Sequence, residues 1–86
     1  MPFYVYILRC MDGTFYTGYT KNVKTRMRLH ANGKGARYTR THKLQEVAYV
    51  EEFGSRSEAM KREKTIKKLN HAQKQHLIDQ QKAGEG

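Results

Sequence analysis

Two runs of β-branched and aromatic residues, Phe3 to Arg9 and Thr14 to Thr20, stand on either side of the dipeptide Asp12-Gly13. Residues of that kind suit a pleated strand, and Asp-Gly between two such runs is a hairpin signal. Residues 3–20 are therefore expected as an antiparallel hairpin. Loop parity then decides which side chains share a face. An odd loop sets Tyr6 opposite Gly18 and Leu8 opposite Tyr16, with both tyrosines on the more polar face and Phe3, Val5, Ile7 and Phe15 turned to the core. An even loop separates the tyrosines.

The rest of the chain alternates helix and strand signals. Asn22 is a good N-cap, Val23, Met27, His30 and Ala31 fall at helical spacing, and Asn32-Gly33 supplies the stop. Residues 33–43 lack apolar periodicity and read as an exposed basic loop, and Val47 to Phe53 reads as a third strand. Ser55 and Glu58 have capping-box spacing ahead of a helix whose buried side carries Ala59, Ile66 and Leu69. Asn70 with Gln73 caps a last helix anchored by Leu77 and Ile78. At 86 residues the chain has room for one modest core. It is expected to be one domain over residues 1–82, with 83–86 as a flexible tail. The fold class is α/β of the α+β type: a small, mainly antiparallel three-stranded sheet flanked by about three helices, in the order β-β-α-β-α-α.

Seventeen Lys and Arg against eight Asp and Glu leave a formal charge of +9. Such an excess on a small body points to a polyanionic partner, nucleic acid first, although a basic surface also simply keeps a protein soluble. No segment has the clean basic-and-apolar division of a membrane-surface helix. Cys10 is the single cysteine, which rules out an internal disulfide or a cysteine zinc cluster. With no signal-like N-terminus, the expected location is the cytoplasm.

Arg26 and His30 lie one turn apart on the first helix, either as a solvated face or as groups reaching over the sheet edge. Glu63 shares a narrow arc with Ala59, Ile66 and Asn70 and so interrupts a core-facing stripe. A carboxylate there needs a Lys or Arg partner or a metal ion, and spacing does not separate the two. Lys34, Arg37, Arg40 and Lys43 interleave with Tyr38, which suits phosphate contacts and base stacking as well as an ordinary surface loop. Arg62, Lys64, Lys67 and Lys68 add to this charge on the helix after the third strand, or are merely its wet face. Phosphate-loop, dinucleotide and His-Glu-x-x-His motifs are absent from the sequence.

Tyr4-Val5-Tyr6 and Tyr16-Thr17-Gly18 resemble the two half-motifs of the GIY-YIG nucleases, and Arg26, His30 and Glu63 continue the likeness over nearly the whole chain. Residues 33–40 and 62–67 look like the small stand-alone bacterial members, related to the nuclease domain of structure-specific endonucleases. The resemblance implies a DNA endonuclease of repair or recombination with one divalent cation, Mg2+ or Mn2+. By that likeness Tyr16 activates water, Arg26 holds phosphate, Glu63 holds the metal, and Tyr6 and His30 support them. The alternative it leaves is a non-catalytic DNA- or RNA-binding module that keeps the fold. DNA stands ahead of RNA as partner, and no membrane is implied. Tyr4 replaces the glycine of the first half-motif, Thr17 a bulkier apolar residue, and Tyr19 the lysine that some members use. The asparagine that follows the metal glutamate in the family has no match here.

Overall fold

The hairpin takes the odd-loop register. In the computed structural model, which describes residues 2–34 and 41–85, strand β1 (Phe3–Cys10) and strand β2 (Phe15–Thr20) pair antiparallel with Tyr6 opposite Gly18 and Leu8 opposite Tyr16. Asp12 builds the turn: its Oδ1 accepts from the Thr14 backbone N–H at 3.1 Å and from Thr14 Oγ1 at 2.6 Å. Gly13 completes it at a φ of 86°, a conformation that costs a glycine little.

Helix α1 (Val23–Ala31) starts where Asn22 accepts a hydrogen bond from the Thr25 N–H. It stops at Gly33, whose N–H bonds the His30 carbonyl while Lys34 N–H reaches back to Leu29. Those two bonds form a Schellman motif, and they fix the last turn, which carries His30.

Strand β3 (Leu44–Phe53) pairs with the other edge of β1, giving an antiparallel sheet of order β2-β1-β3. It begins at Leu44 rather than at the expected Val47. Leu44-Gln45-Glu46 has no apolar alternation to announce a strand, and its pairing rests on the backbone and on the Arg9–Glu46 ion pair. Register shifts between Ile7 and Leu8 and between Arg9 and Cys10 accommodate this extension.

Helix α2 (Arg56–Lys67) opens with the Ser55 cap, whose Oγ accepts from the Glu58 N–H. Before helix α3 (His71–Glu85), Asn70 and Gln73 bond reciprocally, backbone N–H to side-chain oxygen, at 2.9 and 2.8 Å. That is a complete capping box. Helical structure in α3 continues through Glu85, into the residues expected as a tail.

Val5, Ile7, Ala48, Tyr49, Ala59, Ile66 and Ile78 make the main core between the odd-numbered face of β1 and the two C-terminal helices. Removing the side chain of Ile66 or Ile78 beyond Cβ is worth about 2–5 kcal/mol at a fully buried site. Thr17, where the half-motif has a bulkier apolar residue, is buried with its Oγ1 lacking a partner among the described residues.

The second face of β1 is covered as well. Tyr6 and Leu8 are as fully buried as Val5 and Ile7. The polar sheet face expected for the tyrosines is in fact a roofed seam, closed by α1 through His30.

Candidate active site

Alternation along β1 and β2 turns Tyr6 and Tyr16 to the same side, and the register removes any side chain between Tyr6 and β2. A Cβ built on Gly18 falls 2.5 Å from Tyr6 Oη. Gly18→Ala is therefore expected to displace the Tyr6 ring and to lower stability by about 1–3 kcal/mol, the range for overpacking a tight site. Chemical denaturation checks the stability, and separation of Tyr6 from His30 is visible by NMR.

Helix α1 brings Arg26 and His30 down beside these rings. Tyr6 Oη lies 3.0 Å from His30 Nε2, and the Tyr16 ring stands edge-on to His30 with centroids 5.4 Å apart. The Arg26 charge is set against the Tyr6 and Tyr16 phenols, and each of them raises its pKa. Tyr6 Oη stands near Arg26 and is bonded to His30 Nε2 in a chain whose direction follows the imidazole tautomer. The charge states agree with that chain: burial pushes the Tyr6 phenol up, more than Arg26 pulls it down, and burial followed by the Arg26 charge pushes His30 below its ordinary value. Arg26 itself is held more firmly charged, chiefly by its bond to Tyr6. Its Nε is buried and has no hydrogen-bond partner among the described residues.

His30 makes the fold acid-sensitive. Its folded pKa is lower than its unfolded one, so the unfolded chain binds the extra proton first, and stability falls as pH drops. The loss begins near the unfolded value of about 6.5, with a slope of at most about 1.4 kcal/mol per pH unit. The Asp12 carboxyl, held down by Thr14 and then His42, contributes only near and below the ordinary carboxylate range, about pH 4. Urea melts between pH 7.5 and 5 are expected to show the His30 slope, and His30→Gln is expected to flatten it.

Glu63 sits between the buried Ala59 and Ile66 and is 16% exposed. Its charge acts on the Tyr6 phenol, and Lys67 Nζ, 53% exposed, stands 3.8 Å from its Oε1. A Mg2+-like ion keeps several waters and takes one or two carboxylates together with substrate phosphate. Glu63 fits that role. Among the described residues no three His, Cys, Asp or Glu side chains gather into a fuller protein cage.

Lys34, Lys43 and Lys67 are exposed; Arg37, Tyr38 and Arg40 lie outside the described residues. The end of the basic loop is tied to the hairpin turn, with His42 Nδ1 2.5 Å from Asp12 Oδ2 and Met11 N–H donating to the Lys43 carbonyl at 2.7 Å. Arg62, which sequence alone leaves as part of a wet helix face, pairs with Glu51 at 3.0 Å, and Glu51 in turn accepts from Tyr49 Oη. It fastens α2, and with it Glu63, to β3. Tyr19 packs at the edge of the main core with Arg56 near its hydroxyl, on the side away from Tyr6 and Tyr16. Pairing across that distance carries no local sequence signal. No helix among the described residues is long and apolar enough to cross a membrane.

Comparison with known proteins agrees with this arrangement. The GIY-YIG catalytic domain matches residues 2–76. A UPF0213 protein of Oceanobacillus iheyensis is 51% identical over 76 residues, 88% of each chain, and one from the archaeon Natronomonas pharaonis is 49% identical over 75 residues, 87% of this chain and 88% of its own. The solution NMR structure of a UPF0213 protein from Bacillus halodurans is 44% identical with a TM-score of 0.59, covering 92% of this chain and 84% of that one. A second NMR structure, from E. faecalis, is 39% identical with a TM-score of 0.64, over 93% of this chain and 85% of that one. From its half-motif tyrosines to the capped last helix, the chain belongs to the GIY-YIG family, with a GIY-YIG nuclease-type domain like that of the small bacterial and archaeal UPF0213 proteins.

Proposed function

We propose that this domain is a cytoplasmic DNA endonuclease that hydrolyses phosphodiester bonds. The observation that carries the reading is Arg26, a guanidinium charge set against two phenols, with an Nε that has no hydrogen-bond partner among the described residues. Arg26 is half-buried, and a phosphate oxygen is the acceptor that its exposed part would meet. Tyr6 is sealed beneath His30 and keeps its proton, so its part is to hold Arg26 and His30 in place.

Tyr16 is half-buried where Tyr6 is fully buried, and it is the phenol assigned to the attacking water. As the phenolate it takes a proton from that water, the hydroxide oxygen bonds to phosphorus, and the bond to the leaving sugar oxygen breaks, that oxygen taking up a proton from solvent. Glu63 would hold a divalent cation, Mg2+ or Mn2+, which would supply positive charge to the phosphate oxygens. Exposed Lys34, Lys43 and Lys67, with Arg37, Tyr38 and Arg40, bind the flanking backbone.

One observation favours a second reading, a DNA- or RNA-binding module without catalysis. Lys67 already stands beside Glu63, and a metal must outcompete it. Incubation with duplex, single-stranded and branched DNA, and with RNA, in Mg2+ or Mn2+ and then in chelator separates the two. Chelator-sensitive cleavage of DNA is the expected result. Binding to these substrates without cleavage of any of them, under either metal, selects the module.

A further inference from the structure

Tyr4 and the first turn of α1 line an open surface cavity of about 420 Å³ with Lys21, Asn22, Val23 and Lys24. Its position is set twice over. Tyr4 is on the same face of β1 as Tyr6, about 7 Å along the strand, and Val23 precedes Arg26 by about 5 Å along α1. Tyr16 pairs with Leu8, on the far side of Tyr6 from Tyr4, so the cavity lies one helical turn from Arg26 and at the other end of the seam from Tyr16. Tyr4 is held there in one orientation: its hydroxyl donates to Glu52 Oε1 at 3.1 Å, across the pairing of β1 with β3. A glycine at this position, as in the family's half-motif, leaves the cavity without its aromatic wall.

We propose that this cavity binds an unpaired nucleobase adjoining the phosphate at Arg26, stacked on Tyr4, with Lys21 and Lys24 on its flanking phosphates. The inference rests on the nucleic-acid reading of the neighbouring site. The chemistry suits no other part of a polynucleotide as well. An aromatic face stacks on any base that is free of the duplex, Val23 gives the opposite side apolar contact, and two lysines supply the charge that a strand entering the groove requires. Bases paired within a duplex do not present their faces to Tyr4. The cavity thus gives the site a preference for a strand that is single, frayed or branched next to the phosphate under attack.

The test is equilibrium binding in chelator, where nothing is cleaved, of a single-stranded oligodeoxynucleotide, the same sequence as a closed duplex, and an abasic strand of equal length. Tyr4→Ala is expected to weaken single-strand binding about tenfold, within the range of one base–aromatic stack, and to leave duplex and abasic-strand binding unchanged. Tyr4→Phe keeps the ring and is expected to bind as the wild type does. Replacing Lys21 and Lys24 by Ala is expected to reduce the single-strand salt slope by about 0.7 for each lysine that pairs with a phosphate. Equal weakening on the abasic strand, or unchanged single-strand binding by Tyr4→Ala while the wild type binds, overturns the stacking site and leaves the nuclease reading standing. Failure of the wild type to bind any of the three at low salt removes both.

Discussion

Glu63→Gln is expected to abolish metal-dependent cleavage, by about a hundredfold or more, while changing stability in chelator by less than about 1 kcal/mol. The first half follows from the donor set. Glu63 is the carboxylate that acts on the Tyr6 phenol from α2, and an amide oxygen carries no charge to hold a hard cation. Metal stabilisation of a phosphoryl transition state is worth several kcal/mol, each 1.4 kcal/mol being tenfold in rate. The second half turns on Lys67. Breaking a buried ion pair costs about 3–5 kcal/mol, but Lys67 is 53% exposed and 3.8 Å away, and exposed pairs of this kind are worth about 0–1 kcal/mol. Water solvates the released ammonium. Gln is nearly isosteric, so the half-shielded site stays filled, and metal-free nucleic-acid affinity holds or rises as a negative charge is removed. Thermal unfolding in chelator, paired with the cleavage assay, checks both halves. A loss of stability near 3 kcal/mol makes Glu63 a structural ion-pair residue and removes it from the site.

Local signals in this chain are decisive wherever one residue type does one physical job. Asp12-Gly13 sets the hairpin, and its register places Tyr6 against Gly18. Asn22, Gly33, Ser55, and Asn70 with Gln73 mark helix ends because each satisfies a named backbone group. Glu63 stands out as the single charge in an apolar arc. What stays hidden depends on partners far along the chain. The start of β3 at Leu44 has no periodicity of its own and is fixed by pairing with β1. Arg62 reads as solvent-facing until Glu51 is seen beside it. The seam around Tyr6 is invisible in strand alternation, since a polar residue roofed by a helix and one facing water give the same pattern. For the same reason the difference between a buried Tyr6 and a half-buried Tyr16 emerges only with α1 in place.

That difference makes Arg26 the residue whose replacement should tell most about chemistry. Arg26→Lys is expected to lower kcat/KM for cleavage by about a hundred- to a thousandfold, the range for removing one donor aimed at developing charge, with the fold intact. A lysine keeps the positive charge but presents it at one nitrogen. Arg26 presents its charge to the Tyr6 and Tyr16 phenols and has an Nε without a partner among the described residues, a planar set of donors that an ammonium on a flexible stem does not reproduce. Stability is not expected to suffer in proportion. The unpartnered Nε is a buried donor with a desolvation penalty of about 1–3 kcal/mol, and Lys removes it, which offsets part of the loss of the bond to Tyr6. Arg26→Met separates charge from geometry through His30. The Arg26 charge is the second cause, after burial, of the lowered His30 pKa, so in the Met variant that pKa is expected to move part of the way back toward its ordinary value, and the acid-induced loss of stability should shrink. An NMR titration of His30 reads that shift without any cleavage. If the shift occurs and Arg26→Lys still cleaves within threefold of the wild type, Arg26 only orders the seam, and phosphate is held by another group.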